Sequence, residues 1–125
     1  MEDVMKIAQM IVRVCGVLLI LLGIAFWIGR GLRYVNVHML LGIILVLALW
    51  YMGIRALTLG MNAGLAITAL IWGIIVIGFG SSQQSIMPGS LHWIIQVIHL
   101  LLGLVAIGLA EMLGRASARR ALAPA

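Results

Sequence analysis

Three histidines stand in a chain that has few other groups suited to acid–base or metal chemistry. The 125 residues include only 3 Asp and Glu and a single cysteine, Cys15. His38, His92 and His99 all lie in or beside long apolar stretches. An ionisable side chain in such a stretch is costly to bury, so it indicates a functional site. Imidazole is also a very common metal ligand in proteins, and metal binding is therefore the first hypothesis to weigh.

Two of these histidines occur in the same short phrase. The chain reads VHMLLGIIL around His38 and IHLLLGLVA around His99, and a glycine follows each histidine four residues later, at Gly42 and Gly103. Residues four apart lie on one face of a helix. A glycine one turn from an imidazole leaves space beside the ring, which favours a flat ligand over a compact ion.

The composition predicts the elements that must position these residues. Hydrophobic residues make up 65% of the chain and charged residues 9%, and the mean hydropathy is +1.26. A soluble domain of this length does not have such a composition. About 20 apolar residues cross a bilayer as a helix. We therefore predict an all-α membrane protein, a single four-span domain over residues 1–125, with spans at about 7–29, 35–54, 62–80 and 91–113.

The basic residues predict the partners and the orientation. They lie beside apolar runs and not in a basic stripe with interleaved aromatic residues, which favours anionic lipid headgroups and not nucleic acid as their partners. Of the eight Lys and Arg, Arg30 and Arg33 lie on one side of the predicted membrane region, and the other six lie on the opposite side. Lys and Arg are enriched on the cytoplasmic side, so both termini are predicted to be cytoplasmic and the protein to lie in the inner membrane. The six are Lys6, Arg13, Arg55, Arg115, Arg119 and Arg120.

The repeated phrase predicts a tandem arrangement. Superposing His38 on His99 aligns the second span with the fourth, which indicates two helical hairpins in one four-helix bundle. Arg55 follows His38 by 17 residues and Arg115 follows His99 by 16. Both histidines then lie roughly 25 Å from the inner belt of charge, just below the outer surface of a core about 30 Å thick. We expect them to face each other, although two Leu-rich helices can also resemble each other through composition alone.

Two imidazoles that face each other across a bundle are suited to the axial positions of haem iron. Gly42 and Gly103 are then predicted to make room for the edge of the macrocycle. Arg30 and Arg33 lie on the same outer side, and guanidinium groups bind carboxylates well, so they are the predicted partners of the haem propionates.

The identity of the second ligand follows from spacing. His92 and His99 are seven residues apart, about 10.5 Å along a helix, and cannot both bind one iron. We predict His38 and His99 as the iron ligands, with His92 and Gln96 as polar neighbours at the mouth of the site. His38 with His92 is the alternative pair. The histidines could instead be interfacial side chains, or hydrogen-bond neighbouring helices without a cofactor.

Four short helices with His38-Met-Leu-Leu-Gly42 and His99-Leu-Leu-Leu-Gly103 resemble a minimal membrane b-type cytochrome. This sequence pattern is also similar to that of small bacterial four-span membrane proteins. At the level of architecture, the resemblance covers the whole chain. At the level of motif, it covers only these two phrases and the outer arginines. It implies one haem b per chain and one-electron transfer near the outer surface, with a quinone or an external redox protein as partner. The chain departs from larger di-haem cytochromes, because no histidine lies near the inner surface and only one haem site is available, near the outer side.

Two other functions remain open at this point. One is a small membrane transporter or structural subunit without a cofactor, in which the histidines line a polar path or contact a partner helix. The other is a haem sensor or haem carrier, in which one histidine leaves the iron. The sequence shows no catalytic nucleophile or acid–base pair, which favours an electron carrier over an enzyme. It leaves open whether the chain forms a homodimer.

Four smaller expectations concern individual residues. Cys15 is predicted to be a small buried packing residue. Glu111 and Arg115 are one turn apart and are predicted to pair. Ser90 is predicted to cap the last helix, and the tail after Arg115 is predicted to be frayed.

Overall fold

The computed structural model describes residues 2–124, which form an all-α bundle. Two short 3-10 turns interrupt the connections, at Leu32–Tyr34 and Gln83–Ser85. No strand occurs within the described residues, and the predicted fold class is confirmed. The four long helices are α1 Glu2–Trp27, α2 Val35–Thr58, α3 Ala63–Ser82 and α4 His92–Leu122.

The four predicted spans fall on the four helices, but the last helix differs at both ends. The N-cap of α4 is Leu91 without a side-chain hydrogen bond, so the predicted cap at Ser90 is wrong by one residue. The predicted frayed tail is also wrong, because α4 stays helical to Leu122. Ser117 and the glycine before Arg115 are buried there, and Met5 of α1 is buried at the same end of the bundle. Packing between the two ends of the chain therefore extends the helix.

The helices pack as two hairpins side by side. The first hairpin is α1 and α2, the second is α3 and α4, and α1 also packs on α4 while α2 packs on α3. The second helices of the two hairpins, α2 and α4, touch across the middle of the bundle, whereas α1 and α3 do not meet within the described residues. This confirms the predicted tandem arrangement, and it makes the interface between α2 and α4 the short diagonal of the bundle.

The bundle has two chemically different ends. We call the end where α2 and α4 begin the histidine end, because it carries His38 and His99. We call the opposite end, where α1 and α3 begin, the terminal end, because α1 begins and α4 ends there. Arg30 and Arg33 belong to the histidine end, and the other Lys and Arg belong to the terminal half of the bundle.

The core is narrow and is built largely from small side chains. Leu49 and Met52 are its largest fully buried members, and Cys15 is buried as predicted. Alanines let the helix backbones approach closely, as is common between membrane helices. Five alanines of the core have no exposed surface, namely Ala56, Ala66, Ala69, Ala106 and Ala110.

The outer surface is apolar along the length of the bundle. Large side chains such as Ile7, Leu47, Ile74 and Leu101 are more than half exposed. Each of the four helices is long and apolar enough to cross a membrane. A surface of this kind is suited to lipid, because a protein in water does not expose so continuous an apolar surface.

Tryptophan side chains bond the helices to one another. The Trp50 indole of α2 donates a hydrogen bond to the Leu70 carbonyl of α3 at 3.0 Å, and the Trp72 indole of α3 donates to the Leu102 carbonyl of α4 at 2.9 Å. A side chain on Gly73 would overlap the Trp50 indole. A glycine is therefore required where this ring crosses α3.

An ion pair joins α1 to α4 in the terminal half of the bundle. The Arg13 guanidinium donates from Nε to Glu111 Oε1 at 2.6 Å and from Nη2 to Oε2 at 2.9 Å. The Gln9 amide donates to Glu111 Oε2 at 2.9 Å. The predicted pairing of Glu111 with Arg115 is present only as an electrostatic interaction, because the hydrogen bonds of Glu111 are made with Arg13 and Gln9. A partner on the facing helix offers two parallel hydrogen bonds, which are stronger than a contact one turn along the same helix.

Candidate functional site: a histidine pair on the bundle diagonal

His38 and His99 lie opposite each other where α2 and α4 touch. Their ring centres are 6.2 Å apart, and the two ring planes meet at 47°. His38 belongs to the first turn of α2, whereas His99 lies two turns inside α4. The structure therefore brings together the two histidines of the repeated phrase, 61 residues apart in the chain.

The polar atoms of this pair lack partners. The Nδ1 atoms of His38 and His99 are buried, and neither has a hydrogen-bond partner among the described residues. Buried polar atoms without a partner are uncommon in proteins, and each one left unpaired costs about 1–3 kcal/mol. A pair of them in one place indicates a site that accepts a ligand.

Phenylalanine and glycine surround each imidazole in both hairpins. Phe26 of α1 lies 5.4 Å from the His38 ring, tilted by 58°. Phe79 of α3 lies 6.2 Å from the His99 ring and nearly parallel to it, at 12°. Each histidine thus contacts an aromatic ring of the preceding helix in its own hairpin, which gives the site apolar walls.

A glycine of the preceding helix faces the Cε1 edge of each imidazole. A Cβ atom on Gly80 would lie 3.0 Å from His99 Cε1, and one on Gly23 would lie 3.9 Å from His38 Cε1. Phe26, Phe79, Gly23 and Gly80 are site residues that the sequence pattern does not predict. One signal was available, because the two phenylalanines are the only two of the chain and each lies near the end of the first helix of a hairpin.

The glycines that follow the histidines face open space. A Cβ atom on Gly42 or Gly103 would have no neighbour within 4 Å, and both residues are half-buried. The stripe of α4 continues from Gly103 to Ala106 and Ala110, which are fully buried. Space beside both glycines is compatible with a flat ligand. Their contact with a macrocycle stays a prediction.

His92 takes a different place from the other two histidines. Its Nδ1 lies 3.2 Å from the Ile86 carbonyl oxygen in the loop before α4. The structure thus ties this ring to the loop, and His99, not His92, faces His38. Gln96 is half-buried in the turn before His99.

The two arginines of the histidine end are exposed. The Arg33 guanidinium lies 4.9 Å from the centre of the Tyr34 ring, and its Nη2 donates to the Tyr34 hydroxyl at 2.9 Å. Arg30 follows α1, with its backbone N–H bonded to the Ala25 carbonyl. Cations at this end are available to an anionic group, and their role toward propionates stays a prediction.

The donor set distinguishes between kinds of metal group. The described residues contain no cluster of three or more His, Cys, Asp or Glu side chains. A structural zinc site needs four protein ligands and a catalytic one needs three, whereas haem iron needs only its two axial positions filled. Two facing imidazoles with apolar walls and open space beside Gly42 and Gly103 fit haem better than a bare divalent ion.

Comparison with protein families, with curated proteins and with solved structures finds no match to this chain. The histidine pair and its surroundings are therefore the features from which a function can be inferred.

Proposed function

We propose that the protein is a membrane cytochrome that binds one haem b between α2 and α4, with His38 and His99 as the axial ligands. The observation that carries the proposal is the facing pair of imidazoles with buried, unpartnered nitrogen atoms. The ring centres lie 6.2 Å apart, and His38 and His99 would hold the haem iron from α2 and α4.

The residues around the pair suit an electron carrier. When bound, haem with two histidine ligands supplies a one-electron couple without an open position for substrate. Phe26 and Phe79 keep the surroundings apolar. Arg30 and Arg33 are proposed to hold the propionates, because guanidinium groups bind carboxylates through paired hydrogen bonds.

The proposed location is the inner membrane, with both termini in the cytoplasm and the histidine end outside. Six of the eight Lys and Arg belong to the terminal half of the bundle, and such residues are retained on the cytoplasmic side. A quinone or an external redox protein would then exchange electrons at the outer end. The surrounding lipid is the remaining partner.

Thiol labelling tests the orientation. Cys15, the native thiol, is buried and gives little background. Arg119→Cys and Arg30→Cys place a thiol at opposite ends of the bundle. A membrane-impermeant maleimide applied to intact cells should label the Arg30 variant only. Labelling of the Arg119 variant alone would reverse the orientation.

An absorption spectrum of the purified protein, oxidised and then reduced with dithionite, tests the haem assignment. We expect a sharp Soret band with low-spin reduced bands for the unmodified protein. His38→Ala and His99→Ala should abolish this spectrum or make it high-spin. His92→Ala is the matched control, since it removes the third imidazole of the chain, and should leave the spectrum unchanged.

Two outcomes would contradict the proposal. Loss of the low-spin spectrum in His92→Ala but not in His99→Ala would make His92 the second ligand. A protein that stays colourless after reconstitution with haem would not be a cytochrome. Transport assays would then be the next experiment, since a small transporter or a structural subunit is the alternative.

A further inference from the structure

The bundle restricts the motion of the two site histidines, His38 and His99, to different degrees. Three independent features of α4 and α2 show the difference: the position of each histidine in its helix, the connection that precedes the helix, and the contact with the neighbouring hairpin helix. All three favour His99 as the more rigid residue.

The first feature is the distance from the helix end. α2 begins at Val35, so His38 lies within its first turn. α4 begins at His92, and His99 is two turns further in. Helix ends open more readily than interior turns. The backbone of His38 is therefore the easier of the two to displace.

The second feature is the connection that leads into each helix. Left-handed residues precede both helices, two glycines before α2 and Met87 and Gly89 before α4, and neither helix start has a side-chain cap. The difference is that the start of α4 is tied to its own loop through His92 and the Ile86 carbonyl.

The third feature is the contact with the preceding helix. The His99 ring lies nearly parallel to Phe79, and its Cε1 is 3.0 Å from the position of a Cβ on Gly80. The His38 ring is tilted against Phe26, and the corresponding distance to Gly23 is 3.9 Å. The α3 backbone therefore limits rotation of the His99 ring, while α1 leaves the His38 ring freer.

From these features we propose that His99 is the permanent haem ligand and His38 the exchangeable one, so that a small neutral ligand such as imidazole or carbon monoxide replaces His38 on the α2 side. The proposal rests on the proposed haem function. The protein would then have a second state, in which a small ligand takes the place of His38 and its presence can be detected. Gly80 acts as a positioning residue, because it sets how closely the His99 ring approaches α3.

Imidazole rescue of the two alanine variants tests this inequality. His38→Ala should retain most of its haem in a high-spin form, and added imidazole should restore the low-spin spectrum. His99→Ala should lose haem affinity by about tenfold or more, and imidazole should not restore it. Helicity by circular dichroism checks that both variants fold.

Two glycine variants test it with both histidines in place. Gly80→Ala presses on the His99 ring and should lower haem affinity and change the low-spin spectrum, because the ring must move. Gly78→Ala on the same helix is the matched control, since a Cβ there meets nothing within 4 Å, and should leave both unchanged. The unmodified reduced protein should bind carbon monoxide, and Gly78→Ala should bind it equally well.

The outcomes separate this proposal from the haem assignment. A low-spin unmodified protein in which His38→Ala loses haem as fully as His99→Ala, or in which imidazole rescues His99→Ala only, would overturn the inequality and leave the cytochrome assignment standing. Failure of the reduced protein to bind carbon monoxide would do the same. A colourless unmodified protein would overturn both.

Discussion

The guanidinium of Arg13 in the first helix binds both carboxylate oxygens of Glu111 in the last, across a sequence separation of 98 residues. This contact joins the two helices that close the bundle, and the Gln9 amide completes it from the same side of α1. The Arg13 side chain remains half exposed. Because this charged pair lies partly at the outer surface of an apolar bundle, removing one of its members should lower the stability.

We expect that Glu111→Gln and Arg13→Gln each lower the thermal unfolding temperature in detergent, because each leaves one polar partner uncompensated. The double variant should lose less than the two single losses combined, since it removes both charges. Thermal unfolding followed by circular dichroism measures all three. Arg119→Gln is the control, an exposed arginine at the same end of the chain. Additive losses would show that the pair contributes no coupling.

Gly73→Ala should destabilise the bundle by about 1–3 kcal/mol, as overpacking of a tight core does. The added methyl group would overlap the Trp50 indole, which is hydrogen-bonded to Leu70 and has little freedom to move. Denaturant or thermal unfolding gives the change in free energy. Gly78→Ala on the same helix is the control, since a Cβ there meets nothing within 4 Å. Equal effects of the two variants would contradict the packing seen around Trp50.

The space beside Gly42 and Gly103 separates stability from haem binding. Gly42→Ala and Gly103→Ala should leave the ligand-free protein as stable as before or raise its stability by about 0.5–1 kcal/mol, because alanine is the better helix former. Both should lower haem occupancy if the macrocycle edge enters this space. Unfolding of the ligand-free form and haem titration provide the two measurements.

Gly108→Ala controls for the Gly103 variant. It lies on the same helix, and its Cβ also has no neighbour within 4 Å, but it is further from His99 and exposed. Haem occupancy should not change in this variant. Unchanged occupancy in Gly42→Ala and Gly103→Ala as well would place the macrocycle elsewhere.

His92→Ala should lower the unfolding free energy by about 1 kcal/mol, the usual cost of one lost hydrogen bond. The reason is that its Nδ1 bonds to the Ile86 carbonyl and ties the loop to the start of α4. Protease cleavage of residues 83–91 should become faster. Ser90→Ala is the control, because Ser90 is exposed and does not cap the helix. No change in cleavage rate would show that the bond does not hold the loop.

The helices and their pairing could be predicted from the sequence because lipid imposes one simple requirement. A chain in hydrocarbon must satisfy its backbone hydrogen bonds internally, so four long apolar runs become four helices. The repeated phrase then fixed which helices correspond, and it predicted that His38 and His99 would face each other.

The surroundings of the histidines could not be predicted in the same way. Phe26 lies three residues after Gly23, whereas Phe79 directly precedes Gly80, so these four residues do not form a repeated phrase. Their contacts depend on the rotation of α1 and α3 about their axes, which an apolar helix surface does not encode clearly. The hydrogen bonds between Glu111 and Arg13 could not be predicted for the same reason, since sequence spacing does not show which residue of the facing helix lies opposite.

The facing residues of the bundle lie in helices that are synthesised at different times, so the order of synthesis matters for when they meet. Arg13 and His38 belong to the first hairpin, whereas Glu111, which binds Arg13, and His99, which faces His38, both belong to the last helix. An incomplete chain therefore holds an Arg13 guanidinium without its carboxylate and a His38 imidazole without the facing ring. The insertion of α4 supplies both in one event. A quality-control protease that recognises unpaired polar groups in the bilayer would thus distinguish unfinished chains from finished ones.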